Sequence, residues 1–317
     1  MGQIFRSQAF WGATVVALIA ALTAAIYFFV IDGAIPKKSR YDLDIDVLRA
    51  LAAAPDDALP VDVRVETLAR TPAPYFALRA GGGLRQAIMA RSTFQIRTPT
   101  DHYVLEAGMD QDLAEEYGQA ADFDAAVWDR IQDLMASSRG VLVTHEHPDH
   151  IGGVVRHRNP DALADKVILT QAQLDGLPAF APDEGAMAPF ADYEPISLDG
   201  PRRIAPGIVM LPAAGHTPGS VIIFVRLASG DEFLFIGDIA YTRSNVIDGV
   251  DRARFVRFLM VDPEDRGAVV NQLSALHALS ETHPEIHIVP AHAEPHLRDL
   301  IKAGVVHEGF AMPEPGN

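Results

Sequence analysis

The amino-acid sequence predicts a layered α/β domain preceded by a single membrane-spanning helix. Three observations carry that expectation. An uncharged apolar run covers residues 11–31. Short apolar, strand-like runs from residue 61 onward alternate with segments of helical period. No dinucleotide-type glycine fingerprint accompanies them, which sets a Rossmann arrangement aside. The chain has 317 residues, 49% of them hydrophobic, enough for one large domain once the amino-terminal segment is set apart.

The run at 11–31 is long enough to cross a bilayer as a helix. It exceeds the roughly 7 to 15 apolar residues of a secretory signal, and no A-x-A site precedes polar sequence, so it reads as an uncleaved anchor. It is apolar on every face, and Pro36-Lys37-Lys38-Ser39-Arg40 follows at once, unlike a core helix. Lys37, Lys38 and Arg40 outnumber Arg6 and the amino terminus, which leans the domain toward the cytoplasmic side by a margin that leaves sidedness open. The acidic, alanine-rich stretch 41–60 reads as a short helix or linker. The expected organisation is a tail (1–10), an anchor (11–31), a linker (32–60), one large domain (61–304) and a carboxy-terminal tail (305–317).

Within the domain, 61–68, 87–96 and 103–106 read as strands, separated by Pro72, Pro74, the Gly81-Gly82-Gly83 turn and Pro99. The triple glycine lacks a Gly-Lys-Ser pattern and is read as a hairpin turn, not a phosphate loop. Phe123, Ala126, Val127, Ile131, Leu134 and Met135 give 122–137 the period of an amphipathic helix closed by Arg139-Gly140. Further strands are expected at 141–144, 166–170, 208–211, 221–227, 232–236 and 286–290, with a hairpin turn at 229–231. Helices are expected at 263–280 and 295–303.

Charge and composition exclude several functions. A net charge of −16 argues against a nucleic-acid backbone as partner, which would need clustered Lys and Arg. The absence of cysteine removes disulfides, thiolate nucleophiles and Cys-ligated zinc. Any metal must be held by His and carboxylate.

The sequence His145-Glu146-His147-Pro148-Asp149-His150 concentrates such groups directly after an apolar run. If 141–144 is a strand, His145 and His147 point the same way, while Asp149 and His150 follow on the turn. That arrangement suits two metal ions side by side. Three later positions also follow apolar runs: His216 in Gly-His-Thr-Pro-Gly-Ser, Asp238 after Gly237, and His292 in Pro-Ala-His. Strand ends are where α/β sites collect. Any one of these alone would be an ordinary turn residue; four such strand ends in one chain are not readily dismissed. His102, His157, His277, His283, His287, His296 and His307 fall elsewhere and are read as structural or exposed.

On these motifs the chain, over roughly residues 61–303, resembles the metallo-β-lactamase superfamily: H-x-H-x-D-H followed by Ile151-Gly152-Gly153, then His216, Asp238 and His292 in order. The resemblance implies an αββα sandwich. It implies His145, His147 and His216 on one metal, Asp149, His150 and His292 on the other, and Asp238 as a bridge. The metals would be two divalent ions, zinc first, with iron or manganese compatible with the same donors. They would lower the pKa of a shared water and set the resulting hydroxide against an electrophile, with Asp149 orienting it or relaying its proton.

A bridging aspartate at Asp238 is absent from the true β-lactamases of the superfamily and present in its thioesterases, lactonases and several phosphodiesterases, so resistance to antibiotics is not the leading expectation. Tyr241, three residues on, resembles the tyrosine that acyl-homoserine lactonases place beside their metals, where a phenol can donate to an oxyanion; the competing reading is that it only packs under its loop. The expected activity is membrane-anchored hydrolysis of an ester or lactone of a small molecule. Thioester or phosphodiester hydrolysis, or a non-catalytic metal-stabilised binding module, are the alternatives. Two segments are expected to shape the pocket. The loop 178–195 carries Phe180, Met187, Phe190 and Tyr193 and reads as a lid or acyl-chain surface. The stretch 242–260 carries Arg243, Arg252, Arg254 and Arg257, either a carboxylate or phosphate clamp or, as the commoner case, a solvated face paired with nearby Asp residues. Oligomeric state is not legible in the sequence.

Overall fold

The computed structural model describes residues 2–258 and 264–312. Leu259 and Met260 of the arginine-rich stretch and residues 313–317 of the expected tail lie outside these. Helix α1 (Gly2–Ile26) runs on as a π-helical turn over Tyr27–Ile31. Phe10–Ile31 is long and apolar enough, by length and composition, to cross a membrane. Helix α2 (Ile45–Ala52) follows, capped by the Asp44 carboxylate, which accepts from the amides of Asp46 and Val47.

Strands β1 (Asp62–Pro74) and β2 (Gln86–Arg97) form a long antiparallel hairpin with the short helix α3 (Tyr75–Leu78) at its tip. Strand β3 (His102–Leu105), helices α4 (Gln111–Glu116) and α5 (Ala125–Ser137), and strand β4 (Gly140–Leu142) come next. Helices α6 (Pro148–Val155) and α7 (Gln171–Gly176) lead to β5 (Arg202–Ala205), β6 (Ile208–Pro212), β7 (Val221–Arg226) and β8 (Glu232–Phe235). Helices α8 (Arg243–Asp248) and α9 (Arg266–Thr282), strand β9 (His287–Val289), helix α10 (Glu294–Lys302) and strand β10 (His307–Glu308) complete the order.

These strands make two five-stranded sheets, β10-β1-β2-β3-β4 and β5-β6-β7-β8-β9. Because successive side chains on a strand face opposite ways, the second sheet sorts its residues cleanly. Ile208, Met210, Val221, Ile223, Val225, Phe233 and Phe235 face inward and pack against Val63, Val65, Phe94, Ile96 and Leu105 of the first sheet. The Phe94 and Phe235 rings meet across that interface at 4.9 Å. Val209, Leu211, Ile222, Phe224 and Leu234 face outward under α2, α8 and α9. The outer face of the first sheet, with Leu68, Val104 and Val141, packs on α4, α5 and α6. Three apolar layers between four structural layers are the αββα sandwich implied by the resemblance.

Several expectations need correction. The segment 32–60 is not a linker: Ile45, Leu48 and Ala52, at helical spacing, are buried on the second sheet, and Arg49 of α2 pairs with Glu232 of β8 at 2.7 Å. Nor is 305–312 a tail. Strand β10 pairs parallel with β1, Phe310 and Met312 pack on the core, and Gln95 holds Ala311 by hydrogen bonds of 2.8 and 2.9 Å. Pro72 and Pro74 do not end a strand; β1 runs through them, pairing with Ile88 and Gln86, because its other side is paired only at Arg64 and Val65 and no amide is needed there. Residues 166–170 are not a strand but make isolated bridges at Val167 and Thr170. The Lys166 ammonium is drawn to the carbonyls of Ala136 and Ser138 at the end of α5, and Thr170 starts α7 through a capping box. The loop 178–195 is not a lid. Phe180 and Phe190 are buried in the core, Met187 packs against it, and the Tyr193 hydroxyl donates to Val167 O and accepts from Leu169 N, each at 2.8 Å. Strand β5 was not expected at all.

The incorporation of α2 into the core is testable. Leu48 is 1% exposed, so Leu48→Ala is expected to remove about 2–5 kcal/mol of unfolding free energy. The denaturation midpoint of the full-length protein in detergent reads this out. A linker residue would cost less than about 0.5 kcal/mol.

Candidate metal centre

The site forms where loops leave both sheets at one edge. Strand β4 ends at Leu142, short of the expected 141–144, because Thr144 spends its amide and hydroxyl on the Glu106 carboxylate (3.2 and 2.6 Å). His145 and His147 therefore lie in a loop, not on a strand. His147 caps α6, Pro148 takes its first position, and Asp149 and His150 follow in its first turn. Helix α6 enters close to the chain at Ala107: a Cβ on Gly153 would lie 2.1 Å from the Ala107 carbonyl oxygen, so only glycine fits.

Glu146, the residue between the first two histidines, binds the loop that carries His216. Its carboxylate accepts from Gly219 N at 2.8 Å and from Thr217 Oγ1 at 2.7 Å. A Cβ on Gly219 would come within 2.4 Å of that carboxylate, which explains the glycine. Gln173 of α7 adds a second tie, donating to Val143 O and Gly219 O. Asp238 sits in a 3-10 turn, Gly237–Ile239, directly after β8, and His292 follows β9.

The structure brings all seven expected ligand residues together. They form two groups, each with potential ligand atoms within 4.8 Å of one another: His145, His147, His216 and Asp238, and Asp149, His150 and His292. His147 Nδ1 lies 3.1 Å from Nε2 of both His145 and His216. Two nitrogens at tetrahedral positions about 2.0 Å from a zinc ion would be about 3.3 Å apart. The Asp238 carboxylate stands between the groups: Oδ2 is 3.5 Å from His216 Nε2 and 3.8 Å from His145 Nε2, and Oδ1 is 3.1 Å from His292 Nε2 and 3.8 Å from His150 Nε2. Asp238 Oδ1 and His150 Nε2 are nonetheless buried without a hydrogen-bond partner, a costly state that bound cations would relieve. The donor set and these two atoms fit a pair of divalent ions.

The outer nitrogens of the rings fix which nitrogen faces the centre. His292 Nδ1 donates to Ala90 O at 2.7 Å, His150 Nδ1 is 3.2 Å from the Glu106 carboxylate, and His216 Nδ1 is 3.2 Å from the Glu264 carboxylate. Burial, reinforced by the positive potential of neighbouring imidazoles, holds His145 well below the ordinary imidazole range. Burial does the same to His216. Both are thus neutral rings with a free lone pair. His150 goes the other way: burial opposes its charge, but Glu106, Asp149 and Asp238 outweigh that and raise it to about 10. Asp238 is held well below the carboxylate range despite burial, chiefly by His292. Such a cage of carboxylates attracts positive charge at its centre.

Tyr241 packs edgewise against a histidine of each group, with ring centroids 6.5 Å from His216 and 5.7 Å from His292. Burial pushes its phenol up, so the hydroxyl keeps its proton at neutral pH. Arg252 lies over the Tyr241 ring at 4.6 Å, donates to Asp238 O at 2.7 Å and pairs with Glu264. This corrects the expectation of a solvated arginine face: Arg252 is buried against the site, and Arg254 pairs with the distant Asp32 at 2.6 Å. Arg243 is exposed on α8. The side chain of Arg257 is outside the described part.

Glu106, Arg91, Arg252 and Glu264 are functional neighbours that the sequence reading missed or misjudged. Arg91 is buried with Nε 3.3 Å from the Asp149 carboxylate. Glu106 closes an expected strand and adopts φ +70°, a left-handed conformation uncommon outside glycine and a local signal that backbone strain is tolerated there for position. Nothing local in the sequence marks Arg91 or Glu264, and Arg252 stands out only as one of four arginines in 242–260. Among the histidines set aside, His102, His157, His277 and His296 hydrogen-bond to backbone carbonyls, as structural residues do.

Comparison with known proteins gives the family. The model of the family described as "Beta-lactamase superfamily domain" matches residues 117–300, more than half of the chain. The N-acyl homoserine lactonase AiiA of Bacillus thuringiensis subsp. kurstaki is 26% identical over 124 residues, 39% of this chain and 45% of that protein. This match therefore spans less than half the length of the curated relative. A solved N-acyl homoserine lactone hydrolase with N-hexanoyl-L-homoserine at its catalytic metal centre superposes with a TM-score of 0.56 at 16% identity, covering 76% of this chain and 96% of that one. AidC, a dizinc quorum-quenching lactonase, superposes with a TM-score of 0.50 at 13% identity, covering 75% and 92%. With the four-layer sandwich, the two ligand groups at its edge and a family match over most of the domain, the chain belongs to the metallo-β-lactamase superfamily.

Proposed function

We propose that this protein is a membrane-anchored, dinuclear metal-dependent hydrolase acting on a lactone or related ester. The observation that carries the reading is the convergence of two complete ligand groups on a carboxylate between them, with a protonated phenol beside both. His145, His147 and His216 would hold one ion, Asp149, His150 and His292 the other, and Asp238 would bridge; zinc is the assignment, supported by the dizinc neighbour. When bound, two such ions supply a hydroxide nucleophile from water at neutral pH and polarise the substrate carbonyl. The lactone class is supported by the relatives, which are named as N-acyl homoserine lactonases. Membrane anchoring is supported by the apolar helix at Phe10–Ile31.

The chain's own residues supply the rest. Tyr241 keeps its proton and donates it in a hydrogen bond to the oxygen that becomes negative as the carbonyl is attacked. Arg252, stacked on the ring and bonded to Asp238 O, keeps the phenol from swinging away. Asp149, ionised beside Arg91 and His292, orients the attacking oxygen and takes up its proton for transfer to the leaving alkoxide. Glu264 and Ala90 O hold the His216 and His292 rings so that Nε2 faces inward.

Three outcomes follow. Elemental analysis of the full-length protein is expected to find about two metal ions per chain, and chelation should reduce lactone turnover by about 100-fold or more, in a panel that also contains a thioester, a phosphodiester and a β-lactam. Fewer than one ion per chain, or turnover indifferent to chelation, would sink the reading. Tyr241→Phe should lower kcat by about 10²-fold at unchanged metal content; unchanged turnover would leave the tyrosine as packing only. Glu264→Gln should weaken metal affinity by about 10- to 100-fold in a competition titration with a chelating dye.

A further inference from the structure

The apolar amino-terminal helix does not end in a free tether. Gly81 N donates to Val30 O at 3.1 Å, Asp251 N donates to Gly33 O at 2.8 Å, and Ala34 bridges to Val250. The Asp32 carboxylate pairs with Arg254 at 2.6 Å, the Arg254 guanidinium lies 4.5 Å over the Phe28 ring, and the Phe29 ring meets Phe258 at 6.3 Å. Gly33 is clasped so closely that a Cβ would lie 2.6 to 2.8 Å from Ala80, Asp251 and Val250. A span joined to its domain through so many contacts determines which face of the domain lies at its end.

That face is the tip of the β1–β2 hairpin together with residues 243–258. It exposes large apolar side chains, Leu84 at 86%, Phe258 at 64% and Ile247 at 42%. Exposed cations, Arg85 and Arg243, stand beside them, and Lys37, Lys38 and Arg40 follow the span, in a chain whose net charge is −16. Apolar side chains flanked by Arg85 and Arg243, with Asp248 as the exposed acid on α8, suit the boundary between anionic headgroups and acyl chains. The same hairpin tip and α8 wall a cavity of 540 Å³, lined in part by Tyr75, Leu78, Ile88 and Ile247, that reaches His292.

We propose that this face rests on the bilayer, with Leu84 at the headgroup boundary, and that the cavity is the route by which an acyl-bearing amphiphile passes from the membrane to the His292 end of the site. The proposal rests on the anchored-hydrolase reading and adds to it the source of the substrate.

The chain has no cysteine, so a single nitroxide can be placed cleanly on full-length Leu84→Cys and on Ser229→Cys, in the turn between β7 and β8. Both are reconstituted in vesicles of phosphatidylcholine and phosphatidylglycerol, separated by flotation, and probed with oxygen and a nickel chelate. The expected result is flotation of both, with the oxygen-to-nickel accessibility ratio at 84 at least about threefold that at 229. Leu84→Glu should lower kcat/KM for N-decanoyl homoserine lactone presented in vesicles by about fivefold or more, and leave that for the N-butanoyl lactone within about twofold. Flotation with equally water-exposed labels would refute the bilayer contact while leaving the anchored hydrolase standing. Equal loss on both lactones, or on neither, would refute the route. Protein that fails to float would overturn the anchor and this proposal together, and wild-type protein inactive on both lactones would overturn the substrate route while the labels still decide the contact.

Discussion

The structure is governed by the cost of burying carboxylates and imidazoles at the edge between two apolar sheets. An unpaired buried charge is among the most destabilising features a fold can contain. Each carboxylate here is matched on its outer side: Glu106 by Thr144 and His150, Glu146 by Thr217 and Gly219, Glu264 by Arg252 and His216, and Asp149 by Arg91. On the inner side, Asp238 Oδ1 and His150 Nε2 are buried without a hydrogen-bond partner. These carboxylates are matched from outside, and the centre itself is left to cations.

From that constraint follows the local architecture. A ligand nitrogen is useful only if the ring cannot rotate, so the outer nitrogens of His150, His216 and His292 meet a carboxylate or a carbonyl. The loops that carry the rings are in turn bound to one another. Glu146 ties the first histidine loop to the His216 loop, and Gln173 ties both to α7. This is why Gly219 and Gly153 have no room for a side chain: the Glu146 carboxylate closes on the first and the Ala107 carbonyl on the second.

The seven residues that converge were legible because imidazole and carboxylate at strand ends are rare in combination, and the resemblance placed His216, Asp238 and His292 beside the H-x-H-x-D-H run. The layer order came with the resemblance: Ile208 to Leu211 and Val221 to Val225 are unbroken apolar runs, which mark buried strands but do not say which side chain faces which layer. What sequence could not yield depends on remote partners. The side chains of α2 have a clear apolar face, but its partner, the outer surface of β6 and β7, lies more than 150 residues away. Arg91, Arg252 and Glu264 are ordinary charged residues until tertiary packing sets them beside Asp149, Tyr241 and His216. Phe180, Phe190 and Tyr193 looked like a pocket lining because aromatic residues in a turn-rich segment have no period; their burial is decided by the 3-10 turns that fold them onto the first sheet.

The distribution of ligands between the sheets gives the centre a structural role as well. His145 and His147 follow β4 of the first sheet, whereas His216 and Asp238 follow β6 and β8 of the second. In the other group, Asp149 and His150 lie on α6 after β4, and His292 follows β9. Neither group can be assembled from one sheet alone. The inter-sheet layer is otherwise apolar and non-directional, so it sets the distance between the sheets but tolerates sliding. Groups that require donors from both sheets at fixed separations remove that freedom. The same residues therefore set the relative position of the two halves, and the sheet edge can hold a precise constellation although loops, a 3-10 turn and the first turn of α6 supply it in place of strands.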